Sequence, residues 1–188
     1  MVFMLSLSLA ACGAGDESPQ TNPGKQEMKN LTEGQTNEGG LRSATSIAEQ
    51  EIVSIADNCE FYVDYTDITG DVMPPQPGDW YSHYEADDGK VYIDFCVGYK
   101  NWKTKDVGSD DVMSAVLTYG GKYEYTGFSV AEGSNRSDFT YSNITSVAPL
   151  AMEYLHYLFE VPEEVENSSE AVEIKFTIDG NTYSYKVR

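Results

Sequence analysis

Basic residues are scarce in this chain of 188 residues: 12 Lys and Arg stand against 31 Asp and Glu, a formal net charge of −19. Proteins bind nucleic acid by neutralising its phosphates with Lys and Arg, so that class of partner is excluded. Anionic lipid headgroups would repel such a surface as well. Histidine is nearly absent. His83 and His156 are the two in the chain, each beside tyrosines in an alternating stretch, and no Ser-His-Asp order, Cys-His pair or zinc-ligand spacing emerges around them. They read as surface histidines, which argues against a nucleophilic or zinc hydrolase. Nor is there an apolar run of the ~20 residues that a transmembrane helix needs.

What is present begins with a short apolar leader, residues 2–9, that runs into Leu9, Ala10, Ala11 and Cys12. Small residues before the cysteine let a peptidase reach the bond. The four residues resemble the lipobox of a bacterial lipoprotein signal peptide. The resemblance implies cleavage after residue 11, a diacylglyceryl anchor on Cys12, and residence at the extracellular face of the cell membrane, because several acyl chains on one cysteine hold far more firmly than one. No basic residue precedes the run, a departure from the pattern that leads us to expect the true start upstream of Met1.

From residue 13 to 50 there is no aromatic side chain, six glycines occur, and Ser, Thr, Asn, Gln and Glu dominate. Such a segment cannot build a core. As a flexible, disordered tether its root-mean-square span would be about 35 Å. Near its end Ser46 and Glu49 have capping-box spacing, compatible with a short helix, while residues 51–56 fit a first strand equally well. Residues 51–188 hold both tryptophans and all fourteen tyrosines, with 25 acidic against nine basic residues. The composition shift marks a domain boundary, and the length suits one domain. The organisation expected is therefore a signal peptide over 1–11, a lipidated cysteine and linker over 12–50, and a domain over 51–188.

Within that domain, alternation with period two recurs. Phe61, Val63 and Tyr65 share a face, and Val91, Ile93, Phe95, Val97 and Tyr99 repeat the pattern. Pro74, Pro75, Pro77 and Gly78 make a rigid loop. Asp87, Asp88 and Gly89 turn the chain between residues 80–85 and Val91, as in a hairpin. Gly120-Gly121 and Asp179-Gly180 supply the positive φ angles of two further hairpins. Leu155, Tyr157, Phe159 and Val161 form another alternating set before Pro162; residues 148–159 also have tolerable helical periodicity, but β-branched and aromatic content favours a strand.

Seven or so short strands separated by turn signals predict an all-β, antiparallel sandwich. The run Leu117-Thr118-Tyr119, then Pro149-Leu150, Phe159-Glu160-Val161-Pro162-Glu163, Ile178-Asp179-Gly180 and residues 183–188 resembles the immunoglobulin-like domains of unknown function in surface lipoproteins of Gram-positive bacteria. Lys100-Asn101 resembles the pair that ends an early strand there. The acidic loop around Asp106 to Asp111 has no counterpart. The resemblance implies an extracellular immunoglobulin-like β-sandwich and offers no catalytic residues.

Candidate chemistry is sparse. With Cys12 lipidated, Cys59 and Cys96 either pair in an oxidising exterior or remain two partly buried thiols. Asp106, Asp110 and Asp111 form one acidic turn, and Asp64, Asp67 and Asp71 another, in which loop carboxylates and carbonyls could hold calcium, though neither has EF-hand spacing. Trp80, Tyr81, Tyr84 and Trp102 stand at loop edges, where aromatic rings either stack on sugars and anchor partners or cap the core. No metal or other cofactor is required. The reading is a non-catalytic binding or interaction module of the cell envelope, with an unknown envelope protein or glycan as partner. Alternatives are an accessory protein that captures solute or polysaccharide through Trp80, Tyr84 and Trp102, and a calcium- or carboxylate-dependent enzyme.

Overall fold

A computed structural model describes residues 43–188. The lipidation motif at Cys12, the signal peptide and most of the expected linker lie outside the described residues. In chain order the strands are β1 (Thr45–Ile47), β2 (Val53–Ile55), β3 (Cys59–Thr69), β4 (Asp71–Val72), β5 (Tyr84–Glu85), β6 (Lys90–Asn101), β7 (Val107–Gly108) and β8 (Ser114–Tyr119). They continue with β9 (Tyr123–Thr126), β10 (Phe128–Glu132), β11 (Phe139–Tyr141), β12 (Ser146–Val147), β13 (Met152–Pro162), β14 (Val172–Ile178) and β15 (Asn181–Lys186). One short helix, α1 (Glu163–Asn167), follows Pro162.

Two sheets pack face to face. One has the order β1-β15-β14-β8-β9, the other β11-β10-β13-β6-β3-β2. Their centres, β3-β6-β13-β10 against β9-β8-β14-β15, reproduce the immunoglobulin arrangement with one extra strand beside the third. The core between them joins aromatic rings from both sheets: Phe61 lies edge-on to Phe176 and Tyr183, and Phe95 packs on Phe176 and Tyr185. The chain changes sheets between β9 and β10 through the single residue Gly127. A Cβ there would collide with the carbonyl oxygen of Leu158.

The two glycine hairpins form as their turn chemistry demands. Gly120 and Gly121 take φ of 57° and 67°, and Asp179 and Gly180 take 52° and 76°. Residues 152–162 are a strand, and Pro162 ends it. The turn at 87–89 forms as well, but β5 pairs with β4 rather than with β6, since three prolines in the preceding loop bring the chain back over β4. The strand alternative also prevails near the start: within residues 51–56, Val53–Ile55 pairs with β3. Thr45–Ile47 pairs in parallel with β15, so the folded unit begins before the expected boundary at residue 51; Ile47 is buried in the core and supplies the reason.

Alternation in β3 fails at one place. The register slips between Val63 and Tyr65, leaving Asp64 as an unpaired bulge residue. Tyr65 therefore crosses to the outer side of the sheet, opposite Cys96, instead of sharing the inner face of Phe61 and Val63. That outer side is covered. Val72, Tyr92, Val130, Phe139 and Leu158 form a second apolar cluster there, and β6 is buried on both faces over most of its length.

Candidate functional site

The two cysteines remain separate free thiols. Cys59 packs in the core between the sheets, whereas Cys96 occupies the outward phase of β6 and pairs in register with Tyr65. They start from opposite faces of one sheet, which rules out the bridging geometry a disulfide requires. The pairing expected as one alternative is thus corrected to two buried thiols.

Around Cys96 the structure assembles polar groups that the sequence scatters over 93 positions, from Asp64 to His156. His156 on β13 is fully buried, not on the surface as expected. Its Nδ1 donates to Asp94 at 2.8 and 3.0 Å, and its Nε2 donates to Glu132 at 2.8 Å. Cys96 Sγ lies 3.5 Å from the same Nε2. Asp94 and Glu132 are also buried. Arg136 closes the cluster, donating from Nε at 2.6 Å and Nη2 at 2.9 Å to Glu132 and from Nη2 at 2.9 Å to Asp64. Its guanidinium also stacks 3.9 Å over the Tyr154 ring.

Each member has a local reason for its place. Asp94 and Cys96 share the outward phase of β6, His156 stands opposite Cys96 in β13, and the bulge turns Asp64 toward Arg136. Asn135 and Arg136 both sit in the left-handed region at φ 61° and 59°. That conformation costs a non-glycine residue about 1–2 kcal/mol, and the ion pairs of Arg136 offset it.

The charges follow from this packing. Burial pulls the His156 imidazole down, but Asp94, through its charge and its hydrogen bond, outweighs that and holds it protonated well above its ordinary value. Burial pushes Glu132 up, yet hydrogen bonds from His156 and Arg136 leave it below the usual carboxylate range. The Cys96 thiol is pushed up to about 11 by burial, with His156 opposing. Cys96, His156 and Asp94 thus have the order of a nucleophilic triad without its chemistry: the sulfur is a neutral thiol, the imidazole already carries its proton, and both are out of solvent reach. A reactive cysteine needs a lowered pKa and access.

The aromatic residues singled out in the sequence divide into two places. Trp80 is 92% exposed, and Tyr81 and Trp102 are also exposed. Tyr81 donates to the sulfur of Met73 at 3.7 Å. Tyr84 belongs to a ring cluster, 5.2 Å from Phe128 and 6.2 Å from Tyr141, and the latter two are exposed themselves. The loop that carries Trp80 and Tyr81 rests on the next one: Gln76 N–H donates to the Arg136 carbonyl at 2.9 Å, and Ser82 N–H to Asp138 at 2.6 Å. Trp102 stands apart, beyond the far end of β6, under Lys100 at 4.2 Å; ten residues of strand separate it from Tyr92, about 33 Å at ~3.3 Å per residue. Nor does the acidic turn of Asp64, Asp67 and Asp71 gather for calcium. Asp64 is committed to Arg136, and Asp71 to His83 at 2.7 Å.

The overlay with solved structures agrees with this architecture. An uncharacterized β-sandwich protein from Clostridium difficile 630 is similar at TM-score 0.72 and 29% identity, over 89% of this chain and 100% of that one. A conserved hypothetical protein from Bacillus anthracis is similar at TM-score 0.50 and 12% identity, over 75% of this chain and 94% of that one. A lipoprotein candidate from Bacillus subtilis overlaps at TM-score 0.40 and 12% identity, over 74% and 39%, too loosely to carry an argument. No family model and no curated protein matches the chain. The chain is accordingly a β-sandwich, similar in fold to other β-sandwich proteins.

Proposed function

We propose that this protein is a non-catalytic binding module of the cell envelope, held at the extracellular face of a Gram-positive membrane by a diacylglyceryl group on Cys12, and that its contact surface is the aromatic edge at Trp80. The exposure of Trp80 carries the reading. A large ring left in water beside Tyr81 and near the Tyr84, Phe128 and Tyr141 cluster is costly in solution and gains on contact with a partner. Flat rings suit the apolar faces of sugars, so an envelope glycan is the favoured partner, with an envelope protein as the alternative. The closed Cys96–His156 pair supports a module without turnover.

Titrating the protein with soluble cell-wall glycan fragments, while following tryptophan fluorescence and isothermal heat, tests this. The expected result is saturable binding that W80A abolishes and W102A leaves intact. Trp80 makes no core contact that would be lost, so W80A should keep its stability within about 0.5 kcal/mol. Binding unaffected by W80A overturns the assigned surface, and no saturable binding to envelope glycans or proteins overturns the function.

A further inference from the structure

The polar cluster beneath Arg136 is costly as a purely structural element. Burial desolvates each carboxylate and the imidazole, and an apolar set of similar volume is often at least as stable. Its donors nevertheless converge. One atom each from Cys96, Glu132 and His156 lie within 4.8 Å of one another, and all three residues are buried. Around a tetrahedral ion, bonds of ~2.0–2.1 Å to nitrogen and oxygen and ~2.3 Å to sulfur place neighbouring donors about 3.3–3.7 Å apart. Cys96 Sγ and His156 Nε2 are 3.5 Å apart. Glu132 Oε1 and Nε2 are closer, at 2.8 Å, because a proton now joins them. Asp94 on Nδ1 provides the carboxylate that typically fixes the tautomer and orientation of a metal-binding imidazole. Asp64 Oδ2, 4.0 Å from Sγ, is the nearest candidate for a fourth donor.

We infer that Cys96, His156 and Glu132 bind one divalent transition-metal ion of the zinc class, with Asp64 as fourth ligand and Asp94 as the positioning residue behind His156. The donor set decides the class: thiolate and imidazole suit zinc and its neighbours, whereas calcium and magnesium take shells of oxygen. Binding releases one proton from the Cys96 thiol and one from His156 Nε2. The ion then replaces Arg136 as the countercharge of Glu132 and Asp64. It reaches the site through a cavity of about 450 Å³ that is bordered by Glu132, Arg136 and Tyr154. Arg136, whose guanidinium is held by side-chain contacts on a left-handed backbone, is the group that turns aside. The ligands come from β3, β6, β10 and β13, so one ion ties four adjacent strands.

The test is a titration of the full chain, with its thiols reduced, by Co²⁺ alone. One equivalent should produce the near-ultraviolet thiolate-to-cobalt charge-transfer band and the strong visible bands of a tetrahedral site, and Zn²⁺ should displace them. C12S and C59S should keep these bands, C96S should lose them, and E132Q should bind Co²⁺ at least tenfold more weakly, a factor of about 10 or more being usual for disturbed ligation. A chain that takes up no stoichiometric cobalt, or a thiolate band that survives in C96S, overturns the site. Should C96S fail to fold, an unchanged affinity in E132Q overturns it instead.

Discussion

Cys96 and His156, 60 residues apart in the chain, face each other at 3.5 Å inside the outer layer of one sheet. Burial keeps the sulfur protonated against the pull of His156 and out of solvent, and Cys59, also pushed up to about 11 by burial, is equally shielded in the core. Native protein treated with iodoacetamide without reductant should therefore leave the Cys59 and Cys96 peptides unlabelled. Unfolding in urea, still without reductant, should label both, as peptide mass shifts would record. A pair that stays unlabelled after unfolding would be a disulfide and would contradict the structure.

Arg136 should matter to stability far more than its partial exposure suggests. Removing it leaves Glu132, buried and already committed to His156, without its second partner, and breaking one side of such a pair costs about 3 kcal/mol. Urea unfolding of R136A should show a loss of about that size. R136K should recover only part of it, since an ammonium cannot span Glu132 and Asp64 in the forked geometry of guanidinium.

Gly127 is the one-residue passage between the sheets, and the atom in its way is a backbone oxygen. Backbone cannot rotate aside as a side chain can. G127A should cost more than ordinary overpacking, at least about 3 kcal/mol, seen as a large fall in urea midpoint or as insoluble protein. G98A meets the Tyr62 ring and the Met152 methyl instead. Those groups can move, so its loss should be smaller, about 1–2 kcal/mol.

His83 donates to Asp71 at 2.7 Å across the base of the aromatic loop, and that hydrogen bond, with the aspartate's charge, raises its pKa above the ordinary value. A raised folded pKa means that the contribution to stability is fully present below the unfolded value of ~6.5 and fades as pH rises through the folded value. An NMR titration should find His83 titrating above ~6.5 in the native protein. D71N should return it to the ordinary range.

Much of this architecture is legible in the residues. Val91, Ile93, Phe95, Val97 and Tyr99 do line the inner face of β6, and Gly120-Gly121 and Asp179-Gly180 do turn the hairpins. The polar site is hidden in the sequence because period two assigns every outward residue to solvent, and Asp94, Cys96 and His156 are all outward. That logic fails when something covers the sheet, here β11 and the residues around Val72, Tyr84 and Phe139. A signal did exist: Tyr92, Asp94 and Cys96 alternate with a wholly apolar set, and His156 is flanked by Leu155, Tyr157 and Leu158, too apolar for a strand with a wet side. Glu132 and Arg136 gave none, since only the left-handed turn at 135–136 brings them together. The bulge at Asp64 was equally silent, and it is what moved Tyr65 to the other face.

The segment before β2 belongs to both sheets. β1 runs parallel to β15, and two residues later Glu49 bridges Val63 of β3 while accepting a hydrogen bond from Tyr185 at 3.1 Å. A pull on the chain ahead of Thr45 therefore acts along the axis of β1 and strains its contacts with β15 together, in shear, instead of peeling them one after another. For a domain hauled by its leading end, that is the direction in which a sheet resists force best.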